Sequence, residues 1–504
     1  MGSELSVAHP TLRQDRSWGR LRFDRFLQLL RREGFLIGTV SFFFALLCFL
    51  SPWLLMSDSW LTLLGGRELL AHGISHPDQL AVLSHGHAWV DQQWLTQLSY
   101  WGIYSATGLR GAVLATILIQ VFALGLAFVL ARRRGASPLF IVPFALLSLF
   151  YVVSFMRAEV FSLVFFVVVL GLLAAESRRR TRRVWLVFPL LVLWANMHGA
   201  VVMGVALTSI LGGCELATLI RVRRRPGRDW LRGLLLTAVP ALCLLATPWG
   251  VGTFAYYHST IGSPVFRQAV GEWMPPELVS LKGFPLFLLA VVAIVLITKR
   301  RRDLTSFEVG ALVITLTAAL AASRSAPWFA YACIVLLPAL LERTRKRRDA
   351  GEPGWLGAAF AVGLLACALL AFALVARAPA SKLTSEWPAG ATAAVTRVLR
   401  ADPQARVLAG PEHGDWLLFR SRESRGRLAF DGRWEILSAP QLHAVVDYLD
   451  QRGEGWEDLA RGYRVVMLNP HQLRLVKTYD ARPTVRVLYR DRSVVVFDRG
   501  AAAD

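Results

Sequence analysis

The hydrophobic positions of this chain fall in long blocks rather than at a period of two or 3.6. Eleven blocks stand out, at 35–56, 111–130, 138–156, 159–176, 184–197, 200–220, 230–248, 283–298, 305–322, 326–342 and 355–376. Each is near the ~20 residues a helix needs to cross a hydrocarbon core, so the pattern predicts eleven transmembrane helices in one bundle over 35–376. The fifth block is short and contains Pro189. Two polar stretches interrupt the blocks, a large first outer loop at 57–110 and a second at 249–282. After Arg377 the pattern changes. Short strand-like runs at 406–409, 427–430, 464–468, 486–489 and 493–498 alternate with helical patterns at 439–449 and 456–461. The last two runs flank Arg490-Asp491-Arg492 as a closing hairpin, and the whole predicts a small α/β domain over 377–504.

Within the first loop, Trp60, Leu61, Leu64, Leu69 and Leu70 recur at helical spacing, as do Trp94, Leu95, Leu98, Trp101 and Ile103. Two amphipathic helices in the membrane interface are expected, with the tryptophans at headgroup level. A polar stretch of this length is usually functional rather than a passive connector.

Composition agrees with a membrane protein: 55% of the 504 residues are hydrophobic, and mean hydropathy is +0.45. The net charge of +21, from 56 Lys and Arg against 35 Asp and Glu, changes the picture further. The arginines sit at the ends of apolar blocks, where positive charge sets orientation, so nucleic acid is not an expected partner. If the spans alternate, the clusters at 132–134, 178–183, 221–228, 299–302 and 343–348 share one side with the basic segment 1–34. The positive-inside rule makes that side cytoplasmic and puts 57–110, 249–282 and 377–504 outside. No cleavable signal is expected at the amino terminus, whose residues 12–32 read either as a basic helix on anionic lipid or as a solvated tail. All five cysteines lie in apolar segments without metal-ligand spacing.

Asp58 stands at the outer end of the first span, where a carboxylate can act as general base or simply cap the next helix. Asp91, between Trp89 and Trp94, carries the same two readings, and Asp78 after Pro77 reads as structural. Arg157 and Arg324 sit at outer ends of spans, where arginine suits a lipid phosphate or snorkels to headgroups. Glu159 offers Arg157 a local ion pair. Asn196 and His198 interrupt apolar sequence, so they bind substrate or bond between helices. Glu272-Trp273 pairs an acid with an aromatic, a combination suited to sugar. No nucleotide-binding, zinc-protease or nucleophile-elbow motif appears in a convincing context.

These residues carry a resemblance. Asp58-Ser59-Trp60, Gly66-Arg67-Glu68, Asp78, Trp89-Val90-Asp91 and Trp94-Leu95 resemble the first outer loop of a bacterial family in the GT-C glycosyltransferase superfamily. That superfamily includes protein O-mannosyltransferases, aminoarabinose transferases and oligosaccharyltransferases. The likeness continues through Arg157–Ser162, Trp194–Gly199, Pro248-Trp249-Gly250, Glu272-Trp273, Arg324, Glu412–Leu417 and Phe430–Arg433, covering most of the chain after Gly34. It implies a GT-C-like helical bundle in the bacterial inner membrane, with the C-terminal domain extracytoplasmic. It also implies a sugar donor on polyprenyl phosphate and an acceptor that is a glycan, lipid or protein. Asp58 matches the acid that deprotonates the acceptor, while Arg157 and Arg324 would neutralise the leaving phosphate. Two departures stand out: Met56 and Gln93 occupy positions where relatives often carry acids. Metal is therefore unassigned, with a divalent cation left open.

The leading expectation is thus a glycosyltransferase resting on Asp58, Asp91, Arg157 and Arg324. The alternative is a non-catalytic GT-C-like protein that binds a lipid-linked glycan as an assembly or export partner. A transporter fits less well, because transporters place polar residues near the midplane.

Overall fold

The computed structural model describes residues 14–74, 77–343 and 354–500. Residues 1–13 of the basic segment, His76 and most of the cluster 343–348 lie outside the described residues. The chain opens with α1 (Gln14–Phe49), followed by α2 (Ser57–His72) and α3 (Trp94–Arg133). The bundle continues with α4 (Pro138–Leu147), α5 (Leu149–Val152), α6 (Glu159–Arg178), α7 (Val187–Met197), α8 (Val201–Arg221) and α9 (Arg228–Cys243). Two short helices, α10 (Thr253–Thr260) and α11 (Pro264–Ala269), form the second polar stretch. Then come α12 (Gly283–Lys299), α13 (Ser306–Ala321), α14 (Ala326–Leu336), α15 (Pro338–Glu342) and α16 (Gly354–Arg377).

A helix therefore occupies each of the eleven apolar blocks. Six are long and apolar enough to cross a membrane among the described residues, and three more of 10–17 residues are apolar but shorter. The protein is a multi-pass membrane protein. Sequence explains the breaks between helices. Gly108 adopts φ +71° inside α3 and separates its first turns from the spanning portion. Gly34 on α1 comes so close to α16 that a Cβ there would lie 2.2 Å from the Gly357 carbonyl oxygen, so glycine lets the first and last spans pack together. At the centre stands α14, every residue of which, Pro327 apart, is buried.

The C-terminal region adds α17 (Ala380–Leu383), α18 (Ala389–Ala401), β1 (Val407–Ala409), α19 (Pro411–Arg420), α20 (Ala439–Asp450), β2 (Val465–Leu468), α21 (Leu473–Asp480), β3 (Arg486–Arg490) and β4 (Val495–Asp498). The sheet order is β1-β2-β4-β3, with β1 and β2 parallel and the other pairs antiparallel. Strands β1, β2 and β4 are buried on both faces. Alternate residues point into two cores, as the two-residue period requires. Val407, Val465, Met467 and Val496 pack with Trp60, Leu63, Trp416 and Leu417. Leu408, Val466, Leu468 and Phe497 pack with Tyr448 and Tyr479.

The first loop belongs to this structure. Trp60 is 1% exposed and lies against Trp387, Trp416 and Phe419, with ring centroids 4.5–5.6 Å apart. The expected headgroup-level position of Trp60 is thus corrected: the C-terminal region covers the apolar face of α2. The run 427–430, expected as a strand, forms single bridges, Leu428 pairing with Ala81 of the loop on one side and Val407 on the other. A buried ion pair closes the junction, Arg433 Nη2 donating to Asp78 Oδ1 at 2.7 Å and to Asp431 Oδ2 at 2.5 Å.

Candidate active site

Where α2, α6, the α10–α11 stretch, the α13–α14 turn and the C-terminal region meet, a cavity of about 520 Å³ opens. Asp58, Arg157, His198, Glu272, Trp273 and Arg324 all line it. Asp58 lies in the first turn of α2, where its carboxylate faces the helix N-terminus. Arg157 and Glu159 sit at the start of α6, and Arg324 in the turn before α14.

Arg157 is the hub. Its guanidinium donates to Glu272 at 3.0 and 3.1 Å and to Glu159 Oε2 at 2.5 Å, and Asp58 Oδ2 lies 3.8 Å away. Arg157 is 14% exposed, Glu159 4%, Glu272 38% and Asp58 43%; Glu272 is held by Arg157 at 3.0 Å, so Asp58 is the more open and more loosely held carboxylate. Burial in the cavity pushes the Asp58 carboxyl above the ordinary aspartate range, against the opposing pull of Arg157. Glu272 goes the other way, as Arg157 and Arg324 outweigh its burial and lower it. Arg324 makes no carboxylate pair among the described residues; its guanidinium stacks 4.3 Å from the Trp273 ring centroid.

His198 bridges helices and reaches the cavity. Its Nδ1 accepts from the Ala200 backbone N–H at 3.2 Å and lies 3.0 Å from Ser162 Oγ. Burial and the two arginines depress its basicity well below normal, so the ring is neutral with Nε2–H as donor. Three carboxylates converge here on a guanidinium. Among the described residues, no three His, Cys, Asp or Glu side chains are arranged to hold a metal ion.

Two expected site residues lie elsewhere. Asn196 accepts from Trp94 Nε1 at 3.0 Å and donates to the Val192 and Ala246 carbonyls, which uses both ends of its amide on helix–helix contacts. Asp91 lines a neighbouring cavity, where Oδ1 accepts from Gln97 Nε2 and the Gln93 N–H while Oδ2 is buried without a partner. Burial raises its carboxyl to about 7.

The C-terminal region supplies a roof whose role the sequence did not reveal. Glu435, bonded by Trp89 Nε1 at 3.2 Å, faces the cavity with Trp434, and burial raises its carboxyl. Its dense run of charged and aromatic residues, Asp431-Gly432-Arg433-Trp434-Glu435, was the available signal. Beneath it, Ser57 Oγ lies 2.6 Å from Asp415 Oδ2 and 2.5 Å from the Pro411 carbonyl oxygen. One hydroxyl proton cannot serve both. A protonated Asp415 donating to Ser57, with Ser57 donating to Pro411, satisfies every partner. Burial and the nearby Asp431 carboxylate agree, raising Asp415 to about 8. Ser57 precedes Asp58, so this bond ties the start of α2 to the C-terminal region.

A second cavity, of about 780 Å³, lies on the other side of the cluster, between the α5–α6 junction and the start of α12. Arg157, Glu159, Glu272 and Arg324 line both spaces and form the wall between them, whereas Asp58 faces only the first.

No family model matches the chain, and no curated protein matches it by sequence. Solved structures do. The archaeal oligosaccharyltransferase AglB from Archaeoglobus fulgidus, in complex with an inhibitory peptide and a dolichol-phosphate, aligns with a TM-score of 0.50 and 14% identity, over 87% of this chain and 70% of that one. ArnT from Cupriavidus metallidurans, bound to undecaprenyl phosphate, aligns at 0.47 and 16% identity, over 91% of this chain and 97% of its own. At these identities the likeness speaks to fold alone: the chain has the fold of the archaeal oligosaccharyltransferase AglB.

Proposed function

We propose that the protein transfers a sugar from a polyprenyl-phosphate-linked donor to an acceptor, at the membrane face opposite its arginine-rich helix ends. The observation that carries this reading is the shared charged wall, with a base on one side and, reaching both spaces, an arginine that makes no carboxylate pair among the described residues. The acceptor occupies the Asp58 cavity, and the donor's phosphate lies against Arg324, which lines that cavity too and so brings the anomeric carbon within the acceptor's reach. The acceptor oxygen attacks the anomeric carbon as its proton passes to Asp58, and the carbon–oxygen bond to phosphate breaks to release polyprenyl phosphate. Arg324 meets the charge developing on that phosphate; Arg157, already held by carboxylates, fixes the geometry and field. The raised Asp58 carboxyl makes it a stronger base than an ordinary aspartate. The positive-inside rule makes the reacting face extracytoplasmic, and the eleven helices at the apolar blocks are read as eleven crossings.

One observation favours the alternative of a non-catalytic lipid-glycan-binding protein. Met56 and Gln93 line the Asp58 cavity, leaving Asp58 as the acid there that is neither fixed by Arg157 nor part of the roof. Turnover decides between them. Polyprenyl phosphate release from pooled bacterial lipid-linked sugars, measured in nanodiscs, should fall about a hundredfold or more in Asp58→Asn, with donor binding retained. Donor binding without release by the wild type would establish the alternative. Equal release by both proteins would remove Asp58 from the reaction.

A further inference from the structure

The opposite end of the bundle holds a further cavity, of about 580 Å³. Its inner walls are apolar and come from three helices and their extension: Leu130 of α3, Leu172 of α6, Val335 and Leu336 of α14, and Leu340 of α15. Its rim carries six arginines, Arg133, Arg134, Arg178, Arg179, Arg183 and Arg343.

The charges do not cancel. The one carboxylate in the lining, Glu176, is taken by Arg232 at 2.7 Å and by the Thr181 hydroxyl and N–H. Glu308, fully buried behind the rim, is shared by Arg134 at 2.5 Å and Arg178 at 2.7 Å. Arg343 pairs with Asp303 at 2.6 Å. Arg133, Arg179 and Arg183 have no carboxylate among the described residues and stand at the cavity mouth. Helix α6 links the two ends: Glu159 begins it in the charged wall and Arg178 ends it here, about 30 Å away at 1.5 Å per residue.

We propose that this cavity binds an anionic phospholipid of the leaflet at the arginine-rich end. Arg133, Arg179 and Arg183 hold the headgroup while an acyl chain lies against the walls of α3, α6 and α14. A free phosphate would leave those apolar walls unused, and a zwitterionic lipid would bring a cation to an arginine rim. Basic pockets between helix ends are suited to such headgroups. The site is independent of the transfer reaction and shares no residue with it.

The test is native mass spectrometry of the full chain titrated with phosphatidylglycerol and with phosphatidylcholine of matched chains. Wild type should retain phosphatidylglycerol in preference. The combined variant Arg133→Ala, Arg179→Ala, Arg183→Ala, which breaks no ion pair among the described residues, should weaken that retention about tenfold or more and leave phosphatidylcholine unchanged. Ala175→Trp, which fills the apolar part with every arginine in place, should weaken it too. Equal retention of the two lipids by wild type, unchanged phosphatidylglycerol retention in either variant, or full displacement by inorganic phosphate would overturn the proposal.

Discussion

The two ends of the helical bundle solve the same problem with opposite sign. At one end a single buried cation, Arg157, is clasped by Glu159 and Glu272 with Asp58 beside it. At the other a buried anion, Glu308, is clasped by Arg134 and Arg178. Each central charge is satisfied, and each leaves a surplus of its partner's sign facing a cavity. The surplus at the first end is a carboxylate, suited to taking a proton; at the second it is a row of arginines, suited to holding an anion. The lesson is that the central ion is structural and the loosely held neighbour is where chemistry or binding is available.

Breaking the hubs should have the largest effect. Arg157→Met leaves buried carboxylates uncompensated, and Glu308→Met leaves two arginines in the same state. Each should destabilise the protein by roughly 3–5 kcal/mol, read as a drop in the thermal midpoint in detergent. If either variant melts like wild type, that hub is not holding its end together. Arg324→Ala sharpens the contrast, since it removes a cation without breaking a carboxylate pair. Stability should shift by less than about 1 kcal/mol, while polyprenyl phosphate binding should weaken by roughly 2–3 kcal/mol.

Smaller effects should appear in two buried acids outside the hubs. Asp91 has a carboxyl raised to about 7, above its unfolded value, so the native state binds this proton more tightly. The resulting stability is complete below about pH 4 and is lost as pH rises through 7. Asp91→Asn should therefore match wild type at pH 4 and exceed it by roughly 1–3 kcal/mol at pH 8, compared by thermal midpoint. A gain that is larger at pH 4 would reverse this account of its environment. Asp415→Asn should change least, under about 1 kcal/mol at pH 7. An amide keeps the N–H donor toward Ser57 that the protonated acid supplies, and it still accepts from the Gly432 N–H. Asp415→Ala, which removes both bonds, should cost more.

Much of this molecule was legible in its sequence. The apolar blocks became helices because segments so uniformly hydrophobic have few other ways to satisfy their backbone in lipid. Strands β1, β2, β3 and β4 fell where short strand-like runs stood. Asp58, Arg157, His198, Glu272, Trp273 and Arg324 were visible because polar or aromatic residues at the ends of apolar blocks stand out. Their meeting in one cavity follows from alternation of the spans. What sequence hid were pairings across great separation. Nothing local announces that Asp78 will meet Arg433, or that Trp60 will be covered by Trp387 and Trp416. Asp91 and Asn196 looked chemical for the same reason as the others. Gln97 and Trp94, which occupy them, are identifiable only once the helices are placed. Asp415 stood out only as part of the Glu412–Leu417 motif, and Glu435 not at all, because they lie in a region whose fold looked separate from the membrane.

The central claim is that Arg324 meets the lipid phosphate in the cavity where Asp58 faces the acceptor. The most direct measurement is the structure of the full chain in lipid nanodiscs with added polyprenyl phosphate. The account predicts phosphate density within hydrogen-bonding distance of the Arg324 guanidinium, in the cavity that Asp58 faces. Phosphate density at the arginine-rich end alone, or on a lipid-facing surface away from Arg324, would contradict it.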